Sequence, residues 1–441
     1  MDNKTLLGAV AILMLLLGFI GGYFFGLQSA PTPEAPSEEE PAETPTEPVT
    51  PVEEPKLTGT IPIGVVMIGS IAPRELPPLE DWVEDEVNDF IESLGYDFQI
   101  DLLYENAERS PDLALEKVQT LHAQGVQVVL GMRWSSSIEK SYTYVTQNNI
   151  VIISEGSTSP KYAIPGDTVF RLPPNDLLQS KAIIGLHKDL GTEAVVILHR
   201  GDAWGDGLAE EFTTLAQEAG IEVIDVIRYN PDATEFSGEV ASLADKVSQA
   251  LQQFNKVAIQ TFVFDELATI LQQAQDYDVL FQVPWIGSDG TSGVDIILQD
   301  AGEQAFQTVQ LSTIFAPAQS LKHQQFVERY VRENGFEPGV YTKNFYDSVW
   351  LAVMSIIAAG EYDGAKIAEK VPMMAEMMFG VTGWLLLDEN GDRAAAQYSV
   401  QIVVEDPTAE DGYDWEVVAT IDALTGTVSW INKPDFSRFG W

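Results

Sequence analysis

The 441-residue chain contains no cysteine and four histidines, His122, His187, His199 and His323. Without cysteine there are no disulfides, no thiolate catalysis, no thiolate metal sites and no lipid carried on an N-terminal cysteine. The histidines fall at no spacing that suggests a metal site. None lies in the serine-bearing loops described below, so no nucleophile–base–orienter set is legible and no enzyme is expected. Basic residues are scarce: 24 Lys and Arg stand against 67 Asp and Glu, a formal net charge of −43. Such a surface repels phosphate backbones and anionic headgroups, which argues against nucleic acid and against electrostatic membrane attachment. No cofactor or metal is expected. What the chain does have is length for two domains and an ordinary hydrophobic content of 45%.

Residues 6–27 carry no charge, over a length matching the ~20 residues that span a bilayer. Lys4 precedes this run and acidic residues follow it, so the positive-inside tendency leaves residues 1–5 in the cytoplasm and the remainder outside. A cleaved signal peptide is the alternative, but the run is long for one and no A-x-A pattern precedes Pro31. Residues 28–58, rich in proline, glutamate and threonine, cannot build a core and are expected to form a disordered, extended linker. The expected location is the cell membrane, with a single N-terminal anchor and the body outside the cell.

From residue 61 strands and helices alternate. Apolar runs at 61–68 (IPIGVVMI), 98–104, 126–130 (VQVVL), 150–153 (IVII), 194–198, 221–228, 256–262 and 283–287 predict strands. Helical periodicity lies between them, and three helices are expected between 322 and 377. Parallel strands need crossover helices, so the pattern predicts an α/β fold of two doubly wound parallel-sheet lobes. The tail, 383–430, changes to short alternating strands with a hairpin signal at Asn390 and Gly391.

Two of these strands are followed at once by hydroxyl clusters: Ser135, Ser136 and Ser137 after 126–130, and Ser157, Thr158 and Ser159 after 150–153. Serines before a helix are N-cap residues. Open α/β sheets also bind ligands at the carboxyl ends of their strands, where helix starts offer N–H groups to an anion. Two such loops side by side make a cradle for a carboxylate.

The ordered set IPIGVVMI, GMRWSSS, IISEGSTSP, VFRLPPND, AVVILHRGDAWGDGL, IGSDG, NFYDSVWLAV and LLLDENGDR resembles the type I periplasmic-binding proteins. It resembles most the leucine/isoleucine/valine-binding branch, which delivers solutes to ABC transporters. The resemblance spans about 61–430. It implies two lobes joined by crossings near 172–175, 312–317 and 379–383, closing on a small solute. The first lobe would be 59–173 plus 316–380, the second 174–315 plus 381–441. It further implies a ligand carboxylate at Ser135–Ser137, with Ser136 or Ser137 favoured, and Gly156 and Thr158 holding the α-amino and carboxylate groups. Trp204 would cover the ligand, Asp289 would pair with its ammonium, and Phe262 or Phe264 would supply a second-lobe aromatic. Tyr346 would stand near the cleft on the first-lobe side. The expected partners are a small solute, most often an amino acid, and the transporter's permease subunits. Arg133 and Trp134 before the serines, and the proline-rich segment IAPRELPPLEDW, depart from the family pattern.

Competing readings attach to several of these residues. Asp289 also suits a helix cap, and Trp204 and the phenylalanines suit a core. Ser137 to Lys140 matches the S-x-x-K of acyl-transferring enzymes, without the companion elements. Asp388, Asn390 and Asp392 imitate half a calcium loop, but Arg393 stands where the required glycine would be. An extracellular receptor domain of the same fold and a binder of short amides are the functional alternatives.

Overall fold

The computed structural model describes residues 57–68 and 80–441. The expected anchor and all but the end of the linker lie outside the described residues. Leu57, assigned to the linker by composition, is buried in the core. Among the described residues no helix is long and apolar enough to cross a membrane.

The first sheet has the order β2-β1-β3-β4-β5. Its strands are β1 Gly59–Met67, β2 Phe98–Asn106, β3 Val128–Gly131, β4 Val151–Ser154 and β5 Val169–Arg171, all parallel. Both faces are covered, as continuous apolar runs require. Side chains alternate across the pleat, so Val128, Leu130, Val151 and Ile153 enter one core while Val129 and Ile152 enter the other. Helices α1 Glu80–Ser93, α2 Pro111–Ala123 and α3 Ser135–Gln147 connect these strands.

The second sheet contains β6 Ala194–Arg200, β7 Glu222–Tyr229, β8 Val257–Phe262, β9 Trp285–Gly287 and β10 Leu311–Phe315, parallel in the order β7-β6-β8-β9-β10. Its helices are α4 Asp176–Leu190, α5 Ala203–Glu218, α6 Ser237–Ala250, α7 Leu267–Ala274 and α8 Asp295–Gln307. Three more, α9 Leu321–Asn334, α10 Val340–Ala359 and α11 Gly364–Met377, pack Phe326, Tyr330, Phe345, Val349 and Val371 onto the first lobe's core. A short pair, β11 Phe379–Gly380 and β12 Gly383–Trp384, follows. Strands β13 Gln397–Glu405, β14 Tyr413–Asp422 and β15 Thr427–Trp430 then join β10 antiparallel. The second sheet is therefore mixed rather than purely parallel, because hairpin-connected strands need no crossover.

Two crossings fall at 172–175 and just after β10. Residues 305–315 form the end of α8 and β10 in the second lobe. The third crossing is later than expected. Val381 and Leu385 still pack in the first core, and Ala395 and Ala396 are the first to reach the second. The intervening segment is held by the Asp347 carboxylate, which accepts from the Val381 and Thr382 N–H groups at 2.8 and 2.9 Å. It is also held by a bidentate, fully buried pair between Arg171 and Asp392 at 2.5 and 2.6 Å. The half calcium loop is a turn: the Asp388 carboxylate accepts from the Asn390 and Asp392 N–H groups, with Gly391 at φ +79°.

Candidate ligand-binding cleft

The carboxyl ends of both sheets face one cleft of about 1180 Å³. That exceeds the ~300–1,000 Å³ of small-molecule pockets, so its walls do not close on a small solute. The first-lobe wall comes from the ends of β1, β3 and β4 (Ile68, Arg133, Trp134, Ser135, Gly156) and from the start of α10 (Tyr341). The second-lobe wall comes from Trp204, Phe264, Asp265 and Asp289.

The serine end is built by a sharp turn after β3. Gly131 and Met132 both have left-handed backbones, φ +92° and +56°. A Cβ on Gly131 would lie 2.3 Å from the Val66 carbonyl oxygen, so only glycine fits there. Helix α3 begins at once, with Trp134 and not a serine at its N-cap. Ser135, Ser136 and Ser137 therefore occupy the first turn instead of preceding it. Among them Ser135, not the favoured Ser136 or Ser137, lines the cleft. Its Oγ lies 3.0 Å from that of Ser157 and accepts from the Ser159 N–H at 3.2 Å. The two hydroxyl clusters are thus one hydrogen-bonded unit at the positive end of α3. Ser137 is buried, and Thr158 is buried on the side facing Asp176. Gly156 lines the cleft where a Cβ would meet Arg133 Cγ at 2.4 Å.

An aromatic wall crosses between the lobes. The Trp134 ring stacks on Phe264 at 5.4 Å, and Phe264 lies 4.5 Å from Trp204. Arg200 lies over Phe264 at 4.0 Å and Arg109 over Trp134 at 5.4 Å, each also paired with carboxylates. Trp204 sits in the first turn of α5, not in a loop. It is only 3% exposed, so it serves both the core and the cleft rim. Phe262 is wholly buried against Phe212, which returns it to the core; Phe264, two residues on, reaches the cleft.

The acidic end is Asp289, whose Oδ2 accepts from the Tyr341 hydroxyl at 2.5 Å. Burial pushes its pKa up, opposed first by that hydrogen bond. On the other side the Arg133 guanidinium lies 4.9 Å over the Tyr341 ring and pairs with Glu155 at 3.2 Å. One tyrosine therefore separates a cation from a carboxylate. Lys343 also lines the cleft, its pKa lowered to about 8 by burial. Tyr346 does not line it: its hydroxyl donates to Glu86 and its ring packs on Trp82 and Phe326. Tyr341 stands in that place, in the first turn after the Pro338–Gly339 break, a helix-start signal that sequence reasoning passed over. Among the described residues no group of three or more His, Asp or Glu could hold a metal.

The model of the receptor family ligand binding region matches residues 84–405. The chain belongs to this family, the type I periplasmic-binding proteins. As a type I periplasmic-binding protein it is 31% identical over 365 residues to an uncharacterized protein of Methanocaldococcus jannaschii, across 79% of this chain and 85% of the relative. It is 24% identical over 330 residues to a leucine-, isoleucine-, valine-, threonine- and alanine-binding protein of Pseudomonas aeruginosa, across 72% and 79% of the two chains. A leucine-binding protein from Thermotoga maritima superposes with a TM-score of 0.66 at 22% identity, covering 81% of this chain and 98% of that one. A branched-chain amino acid transporter substrate-binding protein from Streptococcus pneumoniae, in complex with isoleucine, gives 0.64 at 21% identity, covering 81% and 99%. At such identities the superpositions show the type I periplasmic-binding fold.

Proposed function

We propose that this chain is the extracellular, membrane-tethered solute-binding component of an ABC transporter, and that its ligand is an amino acid of the branched-chain type. The observation that carries this reading is the placing of Ser135 and the start of α3 on one wall of the cleft and the Asp289 carboxylate on the other, which gives it one anion-accepting and one anionic end. A zwitterion matches that polarity. Its carboxylate goes to Ser135, Gly156 and the start of α3, and its ammonium to Asp289 and Thr158. The apolar side chain lies on Trp204 and Phe264, where aromatic faces favour an aliphatic group over a charged one. The Pseudomonas aeruginosa, Thermotoga maritima and Streptococcus pneumoniae proteins are named for, or hold, leucine, isoleucine or related amino acids, which supports the class, whereas a matched solute-binding protein from Rhodopseudomonas palustris holds 3,4-dihydroxybenzoic acid. The uncharged run at 6–27 supports the tether.

A thermal-shift screen of the full chain against amino acids and short amides tests the proposal. A ligand that binds only the folded state at a hundred times its Kd adds about 2.7 kcal/mol of stability. Leucine, isoleucine or valine is expected to raise Tm. A rise with amides alone, or with none of these solutes, contradicts the assignment.

A further inference from the structure

Behind the acidic end of the cleft lies a second carboxylate. Asp176, at the first position of α4, is 0% exposed, and Asp289 is 8% exposed. Neither Asp176 oxygen makes a hydrogen bond of ordinary geometry, and neither does Asp289 Oδ1. Around them lie Thr158, whose hydroxyl faces Asp176, and Gln179, whose side chain faces Asp289, while the Tyr398 hydroxyl beside both is buried without a hydrogen bond. These groups come from the β4–β5 loop, α4 and β13, and Tyr341 of α10 closes the remaining side. The charged groups facing the pair are few. Arg171 is spent on Asp392 in a bidentate contact, and Arg133 is separated by the Tyr341 ring. The positive end of α4 favours a charge on Asp176, but a helix end offsets less than the cost of burying an ion. Two buried carboxylates without a cation between them cannot both stay ionised. Burial first, and then the Asp289 charge, push Asp176 up.

We propose that Asp176 and Asp289 share one proton in the ligand-free cleft and that the ammonium group of the ligand replaces it. The seat then holds two carboxylates and one positive charge before and after binding, so its net charge stays at −1. The displaced proton leaves to solvent. Asp176 is in this sense a positioning residue for the ammonium: it acts through Thr158 and Asp289 and does not touch the ligand. A short amide, having no positive charge to offer, leaves the proton in place. This inference rests on the reading that an amino group docks at Asp289.

The test has one arm that needs no ligand. Infrared difference spectra of the ligand-free full chain at neutral pH are expected to show a protonated carboxylic-acid band that disappears in Asp176→Asn. An unchanged band in the folded variant overturns the shared proton, whatever the protein binds. The second arm is titration calorimetry of the wild type with leucine in buffers of different ionisation enthalpy. About one proton released per leucine is expected, with affinity falling about tenfold per pH unit below the pair's pKa. Leucine binding with no proton release overturns the exchange, also in the event that Asp176→Asn fails to fold. Failure of leucine to bind counts against the amino-acid reading alone, and the infrared result still decides the shared proton.

Discussion

Arg109 of the first lobe and Asp265 of the second meet across the cleft, Nη2 to Oδ1, at 2.6 Å. The same guanidinium lies over Trp134, which itself stacks on Phe264 of the second lobe. These contacts tie the lobes together along the aromatic wall, in addition to the Tyr341–Asp289 and Ser159–Ala203 hydrogen bonds. The Arg109 and Asp265 side chains are 57% and 36% exposed, and such pairs contribute about 0–1 kcal/mol. The pair therefore biases how far the lobes stand apart without fixing stability. Arg109→Ala is expected to leave Tm nearly unchanged and to enlarge the ligand-free radius of gyration in small-angle scattering. An unchanged radius would show that the contact does not restrain opening.

The two phenylalanines separate core from cleft. Phe264→Ala should weaken ligand binding, since aromatic contacts contribute about 0.5–1.5 kcal/mol beyond their area. Phe262→Ala, in the core, should cost about 3–5 kcal/mol of stability and leave the affinity of the folded fraction intact. Denaturant unfolding and titration calorimetry on both variants check this. Reversed effects would exchange their roles.

Asp392 tests the crossings. It and Arg171 are buried to within 1% and hold the third crossing against β5. Removing one partner of such a pair leaves an uncompensated charge, at about 3–5 kcal/mol. Asp392→Ala should lower the urea midpoint accordingly, whereas Asp388→Ala, in the same turn but outside the ion pair, should cost less. Equal losses would assign the effect to the turn.

The pH dependence of stability follows from Asp176. Its pKa is raised by folding, so the folded chain holds a proton that the unfolded chain has lost. Stability from this group is then lost as pH rises from the ordinary carboxylate range through the raised value. Asp176→Asn cannot lose that proton. Its Tm without ligand should fall less than the wild type's as pH rises above the ordinary carboxylate range. Parallel Tm curves would contradict the shift.

Much of the fold was legible because buried parallel strands are written as unbroken apolar runs; VVL and VII each fill both cores. The cleft was legible as far as it depends on strand ends, which is why Ser135, Gly156, Trp204, Phe264 and Asp289 come together. Finer placements were not. Ser135 instead of Ser136 faces the cleft because the left-handed Gly131–Met132 turn starts α3 early, and no propensity reports that turn. Phe262 is the last residue of β8, whereas Phe264 lies in the loop beyond it, where the alternation of the strand no longer sets which way a side chain goes. Tyr341 was hidden because a tyrosine in a helical first turn reads like the tyrosine five positions later. The third crossing was misplaced because Asp347 and Arg171, both distant in sequence, hold residues 381–393 on the first lobe.

The central claim, that Asp289 receives the ammonium of an amino acid, has one direct measurement. Titration calorimetry compares the wild type, Asp289→Ala and Asp289→Asn for leucine and for a short amide. Truncating one partner of a buried charge pair costs about 2–5 kcal/mol, a loss of roughly thirtyfold to several thousandfold in affinity. Asp289→Ala should therefore lose leucine binding at micromolar concentration while keeping its fold, and Asp289→Asn should lose it while hardly affecting any amide. Leucine bound by Asp289→Ala at wild-type strength would contradict the account.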